Sequence, residues 1–433
     1  MNTSTWLLAL LLPACQGPDS PSAAGSDPSP SIQAASGPKT PAQVPAEVSL
    51  EDVCSLALKH HPDLRRFPYD DRAADARRLI AGRPPNPSVS LELEDFAGNG
   101  VYSGTRSAIY TATLVQLLET GGKRGARAAE AGAAQARLRA DYETRRREVL
   151  EQASQDFVEA LAEKESLALA ERELELAESG LQSVGSQVEA GRATESQRKL
   201  AAMAVTQAKL EVRSSRRGFE RSLARLAALW GGGSKPSRVR GLLTPPPKGL
   251  PSRAQLAGAL ESHPEVAAAR RREDEAQARV KLARAGRYPD VEVGLGARHD
   301  RASGDDALVL GASVPLPLIE TGRDGVKAAE AEAASAALAI ESARLDLQRR
   351  FESAWAAFAD GHDAAVTAEN ELLPGAREVF SSIDESYRLG RTGFLEWLEA
   401  GRQLAAANRR WLEARRDYQQ AAATLQALTG QSL

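Results

Sequence analysis

The stretch "LLETGGKRGARAAEA", Leu117 to Ala131, returns in blurred form as "LIETGRDGVKAAEA", Leu318 to Ala331. An Ala-rich match is cheap by chance, so the repeat carries weight only if other pairs fall in the same order at a similar spacing. They do. Glu119 and Glu320 are separated by 320 − 119 = 201, and the His-Pro steps at His61 and His263 by 263 − 61 = 202. Gly191 in "EAGRATE" answers Gly390 in "RLGRTGF" at 390 − 191 = 199, and "LWG" from Leu229 answers "LTG" from Leu428 at 428 − 229 = 199. Four collinear pairs with so little drift are an internal duplication. One repeat covers residues 47–250 and the other 251–433.

Each repeat runs through the same signals. A helical pattern broken at His-Pro comes first, since Pro opens a helix where its missing N–H costs nothing. In "SVSLELED", Val89, Leu91 and Leu93 then alternate with Ser90, Glu92 and Glu94; in the second repeat Val291, Val293, Leu295 and Ala297 alternate with Glu292, Gly294, Gly296 and Arg298. A period of two with one oily and one polar face is a strand. Polar loops lead to return strands, so the expected strands lie at about 88–95, 107–118, 290–298 and 307–318. Strands of about ten residues match a tilted bilayer crossing, although a soluble hairpin lying on a core shows the same alternation. Four strands cannot close around a lumen, so a barrel requires several chains.

The strands give way to helical patterns of unusual length. Residues 126–190 contain no Pro and only three glycines, Gly132, Gly180 and Gly185. The matching run, 326–389, is interrupted only at Gly361 and at Pro374-Gly375. Both turn at a glycine, Gly191 or Gly390, and return, giving helical hairpins over about 126–229 and 326–429. At ~1.5 Å per residue the first arm reaches roughly 100 Å, beyond any compact globule.

Composition agrees and excludes. Hydrophobic residues make up 42% but aromatics only 5%, which suits helices packed closely through small side chains. Lys+Arg 55 against Asp+Glu 58 gives a net charge of −3, so no basic field points to nucleic acid. No run of 18 apolar residues offers a transmembrane helix, leaving a barrel as the route across a bilayer. Phosphate loops, nucleophile elbows and CxxC or HExxH spacings are missing, so no catalytic residues, cofactor or metal site is expected and the chain reads as no enzyme. His60, His61 and His263 read as helix-junction residues, and "GGKRGAR" as a solvated charged turn near headgroups.

At the N-terminus, residues 1–14 read as a signal peptide whose apolar segment ends in "LPAC", similar to a lipobox, with Cys15 as the lipidated residue. An ordinary cleaved signal with an incidental Cys is the alternative. Residues 15–46, rich in Pro, Ser and Ala, read as a tether. With Cys15 lipidated, Cys54 has no disulfide partner.

Strand hairpin and long helical hairpin, done twice behind a lipobox, resemble the TolC-type outer-membrane efflux family over residues 47–433, and "LVQLLETGGKRGAR" resembles the Q-P-x-E-x-GGKR-x-A-R run of its CzcC-like heavy-metal branch. The resemblance implies an α+β membrane protein: a homotrimer whose chains each give four strands to a twelve-stranded outer-membrane barrel, continued inward by a periplasmic helical tunnel. It implies passive conduction of heavy-metal cations or small organic drugs, with an inner-membrane RND pump and a periplasmic adaptor as partners. It places adaptor docking at Gly191, Arg192, Thr194, Leu389, Gly390, Arg391 and Thr392, and an acidic gate at Glu396 and Glu399. A periplasmic adaptor or coiled-coil scaffold without a pore also uses long helical hairpins, but has no reason to carry the duplication.

Overall fold

Local chemistry sets the element boundaries. The computed structural model describes residues 44–431 apart from Lys248, so the signal segment and Cys15 lie outside the described residues, as does most of the tether. Strand β1 (Glu47–Val48) leads to α1 (Leu50–His60), opened by a capping box in which Ser49 and Asp52 satisfy each other's backbone N–H groups. His61 then caps α2 (Pro62–Ala81) by accepting the Asp63 N–H on Nδ1, at 3.2 Å. Strands β2 (Ser88–Glu94) and β3 (Ile109–Leu118) precede the 67-residue α3 (Lys123–Glu189) and its return, α4 (Glu195–Ala228).

The second repeat follows a short β4 (Arg238–Val239), which pairs in parallel with β1. It comprises α5 (Arg253–Gly258), α6 (Pro264–Gly286), β5 (Val291–Asp300), β6 (Asp306–Ser313) and α7 (Arg323–Thr367), then α8 (Leu373–Arg388) and α9 (Phe394–Thr429). His263 caps α6 as His61 caps α2, its Nδ1 accepting the Glu265 N–H at 3.2 Å. Both His-Pro steps are therefore helix starts.

Three expectations shift. The strand anticipated over 307–318 ends at Ser313, because Pro315 and Pro317 cannot donate to a ladder. Gly361 does not interrupt α7: a Cβ there would lie 3.0 Å from Tyr418 Cα, so the glycine lets α9 approach closely. The break comes instead at a π-turn over Ala368–Leu372, where the wider turn accommodates Pro374, which has no N–H for the Asn370 carbonyl. Glu369 in that turn accepts Trp411 Nε1–H at 2.7 Å and pairs with Arg415 at 3.1 Å, while the Arg415 guanidinium stacks over Trp411 at 4.5 Å.

Among the described residues three apolar cores hold the helices. One joins α1, α3 and α4 to the β1–β4 ribbon through Val53, Phe157, Leu226 and Val239. A second joins α7 and α9 through Phe351, Phe358, Tyr418 and Leu425. A third, Val184, Ala201, Tyr387, Phe394 and Trp397, ties the two hairpins together near their turns. Burying each large side chain of this kind contributes about 1.5–3 kcal/mol.

Candidate functional site: a two-faced strand wall and the ends of the helical hairpins

The larger sheet has the order β2-β3-β5-β6, every neighbour antiparallel, so the repeats meet at the β3–β5 ladder. Register sorts its side chains by face. Leu91, Ala112, Ala297 and Leu308 form one cross-strand row, and Val89, Leu114, Leu295 and Leu310 the next. The opposite face carries rows such as Glu92, Thr111, Arg298 and Ala307, and Ser90, Thr113, Gly296 and Val309. Among the described residues no element covers the apolar rows: Leu91, Leu308 and Leu310 are 69%, 84% and 77% exposed. A soluble hairpin would bury that face; a barrel wall presents it to lipid and its polar face to a wet lumen. At the loop end the row becomes Leu93, Tyr110, His299 and Asp306, with His299 Nδ1 2.9 Å from Asp306, an amphipathic band of the kind found at a membrane interface.

At the other end of the strands the "GGKRGAR" turn is not the solvated turn its charge suggests. Arg127 pairs in a bidentate manner with Glu119, whose side chain is only 10% exposed. Lys123 Nζ lies 2.8 Å from Asp290 Oδ1, which also accepts the Thr120 N–H at 3.0 Å, and the Thr120 hydroxyl donates to the Pro289 carbonyl at 2.5 Å. The Arg127 hydrogen bonds hold the Glu119 carboxyl below its usual range. Burial works upward on Asp290, but Lys123 and the Thr120 N–H outweigh it and hold that carboxyl low as well. Asp290 was missed in the sequence because a single Asp before a strand has no local signature.

Both hairpins turn through the same backbone device. Gly191 and Gly390 have φ of +69° and +68°. Arg192 N–H reaches back to the Gln187 carbonyl and Arg391 N–H to that of Ser386, each at 2.8 Å, while Gly191 and Gly390 bond the Val188 and Tyr387 carbonyls. These are Schellman motifs, which need a left-handed residue at the turn. Thr194 then caps α4 with a capping box to Gln197; in the second turn Gly393 follows Thr392 and offers no side-chain cap. Gln187 Nε2 donates to Tyr387 Oη at 3.1 Å, so the structure brings the two turns side by side. Leu389, Arg391 and Arg192 are exposed there.

Glu396 and Glu399 begin α9 and are exposed, on the face opposite buried Phe394, Trp397 and Ala400. Of the four apolar residues around them, Phe394 and Trp397 take the buried face, Leu398 is half-buried and Leu395 stays 58% exposed beside the carboxylates. Further along the hairpins, Arg409 Nη1 donates to Glu173 Oε2 at 3.0 Å, and burial nevertheless pushes the Glu173 carboxyl up. Among the described residues no group of three or more His, Cys, Asp or Glu is placed to hold a metal ion.

The sequence model "Outer membrane efflux protein" matches residues 53–232 and again 256–431, one match per repeat. The chain belongs to the outer membrane efflux protein family. This efflux protein is 27% identical over 394 residues to the cobalt-zinc-cadmium resistance protein CzcC of Cupriavidus metallidurans, covering 91% of this chain and 92% of that one. Its fold is that of a membrane protein from Pseudomonas aeruginosa, with a TM-score of 0.75 at 20% identity over 88% of this chain and 90% of that one. It is also that of the outer membrane protein VceC of Vibrio cholerae, with a TM-score of 0.72 at 19% identity over 88% and 96%. The expected α+β channel fold, with its strand wall and long helical hairpins, is the fold found.

Proposed function

We propose that this efflux protein is the exit duct of a tripartite system, a homotrimer closing a twelve-stranded outer-membrane barrel above a periplasmic helical tunnel. The observation that carries this reading is the single-layer sheet of β2, β3, β5 and β6, apolar on one uncovered face and polar on the other, joined directly to a helix of 67 residues. Four strands end in two unpaired edges, and edges in a bilayer must be paired. Conduction is passive, with energy and most substrate choice supplied by an inner-membrane RND pump through a periplasmic adaptor. The likeness to the cobalt-zinc-cadmium resistance protein CzcC supports heavy-metal cations such as cobalt, zinc and cadmium as cargo, with copper and small organic drugs as further classes.

Within that duct, Gly191, Arg192, Thr194, Leu389, Gly390, Arg391 and Thr392 form the adaptor-docking tip, supported by the paired Schellman turns and the exposed Leu389 and Arg391. Glu396 and Glu399 line the constriction just above it, supported by their exposure opposite the buried Trp397. Cys15 is the lipidated N-terminus, adding a second hold on the membrane at ~0.8 kcal/mol per buried CH₂. The test is fractionation and reconstitution. The protein is expected in outer membranes as a heat-modifiable trimer that opens conducting pores in planar bilayers, and deleting it is expected to lower metal tolerance. Recovery as a soluble periplasmic monomer without conductance overturns the reading.

A further inference from the structure

Within one chain the two repeats meet at the β3–β5 ladder and at the turn beside it. The connector ahead of β5, residues 287–290, meets the first "ETG" turn through the Thr120 and Lys123 contacts to Pro289 and Asp290, and α3 packs along α6 beneath it. On its other flank the same connector meets the second turn: a Cβ on Gly322 would lie 2.9 Å from Arg287 Cγ. One connector is thus held between two turns.

The matching connector in the first repeat, "GRPPNP" from Gly82 to Pro87, is held on one side only. Its Pro85 carbonyl accepts Gln116 Nε2–H at 3.1 Å, and its Arg83 carbonyl faces Arg127. On the other side Arg83, Asn86 and Pro87 are exposed, and the flanking end of α2 leaves Leu79 53% and Ile80 65% exposed. The second turn is correspondingly half-used. Glu320 accepts only its own Gly322 N–H, and among the described residues neither Glu320 nor Arg323 forms an ion pair. The strap before it, Val314 to Ile319, has Leu316, Leu318 and Ile319 exposed by 73%, 82% and 99%. Among the described residues strands β2 and β6 each pair with one strand, so each presents a free edge.

Aligning the connectors sets Pro85 against Pro289 and Asn86 against Asp290 (both 204 apart), and aligning the ETG turns sets Thr321 against Thr120 (321 − 120 = 201) and Arg323 against Lys123 (323 − 123 = 200), whereas ladder register offsets the return strands by 198, so the second turn stands about three residues further from its strand. We propose that Thr321 and Arg323 dock on Pro85 and Asn86 of a second copy of this chain, reproducing between protomers the contact that Thr120 and Lys123 make with Pro289 and Asp290 within one. The chemistry changes in matched fashion: a Lys–Asp ion pair inside the chain becomes an Arg–Asn hydrogen bond between chains. The bulky Tyr288, against which Gly121 has no room for a Cβ (2.6 Å), becomes Pro84 where the second turn lacks the extra glycine. The strap, three residues longer than its counterpart, lays its exposed leucines and Ile319 over the neighbour's Leu79 and Ile80.

This inference rests on the trimeric-duct reading, and the test separates the two. In a Cys54→Ser background, Asn86→Cys with Thr321→Cys is oxidised in outer membranes and run without reductant. Covalent trimers that collapse to monomers with dithiothreitol, and that neither single cysteine gives, are the expected result. A second pair, Leu91→Cys with Ala312→Cys, reports the β2–β6 edges alone. Trimers from the edge pair with only monomers from the turn pair overturn the docking contact and leave the duct standing. An absence of trimers from both pairs and from the parent protein overturns the duct itself. As a check independent of cysteine geometry, Arg323→Asp is expected to lower the temperature at which the detergent-extracted trimer dissociates, and adding Asn86→Lys to restore it. No recovery in the double variant counts against the contact.

Discussion

The indole of Trp397 fills the space that a side chain on Gly180 would need: its Cη2 and Cζ3 both lie 2.6 Å from where a Cβ would stand. The same ring donates Nε1–H to Asp384 at 2.8 Å and stacks on Tyr387 at 5.5 Å, so one contact ties α3, α8 and α9 together just above the turns. Gly180→Ala must move the ring. Overpacking of this kind costs about 1–3 kcal/mol, and the loss should fall on the hairpin ends and spare the barrel. The expected outcome is an intact trimer whose pores open more often in bilayer recordings. Trp397→Leu in the same chain, which leaves room for the new methyl, is expected to reverse part of the effect.

His263 provides a pH-dependent hold on the second repeat. Its Nδ1 must be unprotonated to accept the Glu265 N–H, and burial, with Arg147 and Arg350 nearby, pushes its pKa down to about 4. Because the folded value lies below the unfolded one, the unfolded state binds the proton first. Stability contributed here is fully present above about pH 6.5 and is lost as pH falls toward 4. His263→Asn, which can cap without titrating in this range, should flatten that part of the melting-temperature profile between pH 7 and 4.5. An unchanged slope would assign the acid sensitivity to other groups.

The duplication, the strands and the helical hairpins were legible because period-two and helix-period patterns are local. Ser88 to Leu93 shows its two faces within six residues. What stayed hidden depends on contacts between distant segments. Gly361 reads as a weakness in a helix until Tyr418 is seen against it, and Lys123 reads as solvated until Asp290, 167 residues later (290 − 123), is set beside it. At the candidate gate a spacing of three puts Glu396 and Glu399 on one side of a helix, but it is the packing of Trp397 against Gly180 that decides which side is exposed.

The turns demand φ near +70° at both glycines, yet a Cβ on Gly191 or Gly390 would meet nothing within 4 Å. Substitution there therefore strains the backbone without a clash. Gly390→Ala should cost about 1 kcal/mol, because L-residues disfavour the left-handed region. Gly390→Asn, which tolerates it better, should cost less. If the turn docks an adaptor by its shape, crosslinking to the adaptor and metal tolerance should fall for Ala and largely survive for Asn, with the trimer retained in both. Equal loss for the two variants would mean the adaptor requires the bare glycine surface.

Glu396 and Glu399 sit three residues apart on the exposed face of α9, with Leu395 beside them and Gln403 Nε2 donating to Glu399 at 3.4 Å. In a trimer three copies of each would ring the axis, close enough that their fields add in a narrow space where salt screens poorly. A unit charge at 4 Å contributes about 1 kcal/mol even in bulk water and more where the dielectric falls. A divalent cation in such a ring therefore gains more than the 1.4 kcal/mol that separates ten-fold steps in affinity. Replacing both, Glu396→Gln with Glu399→Gln, keeps size and helix and removes six charges per trimer. Block by divalent or trivalent cations is expected to weaken by at least about ten-fold on that scale, and cation over anion preference should drop in single-channel recordings. Should block and selectivity stay at the parent values, these carboxylates face away from the pore and the constriction is built from other residues.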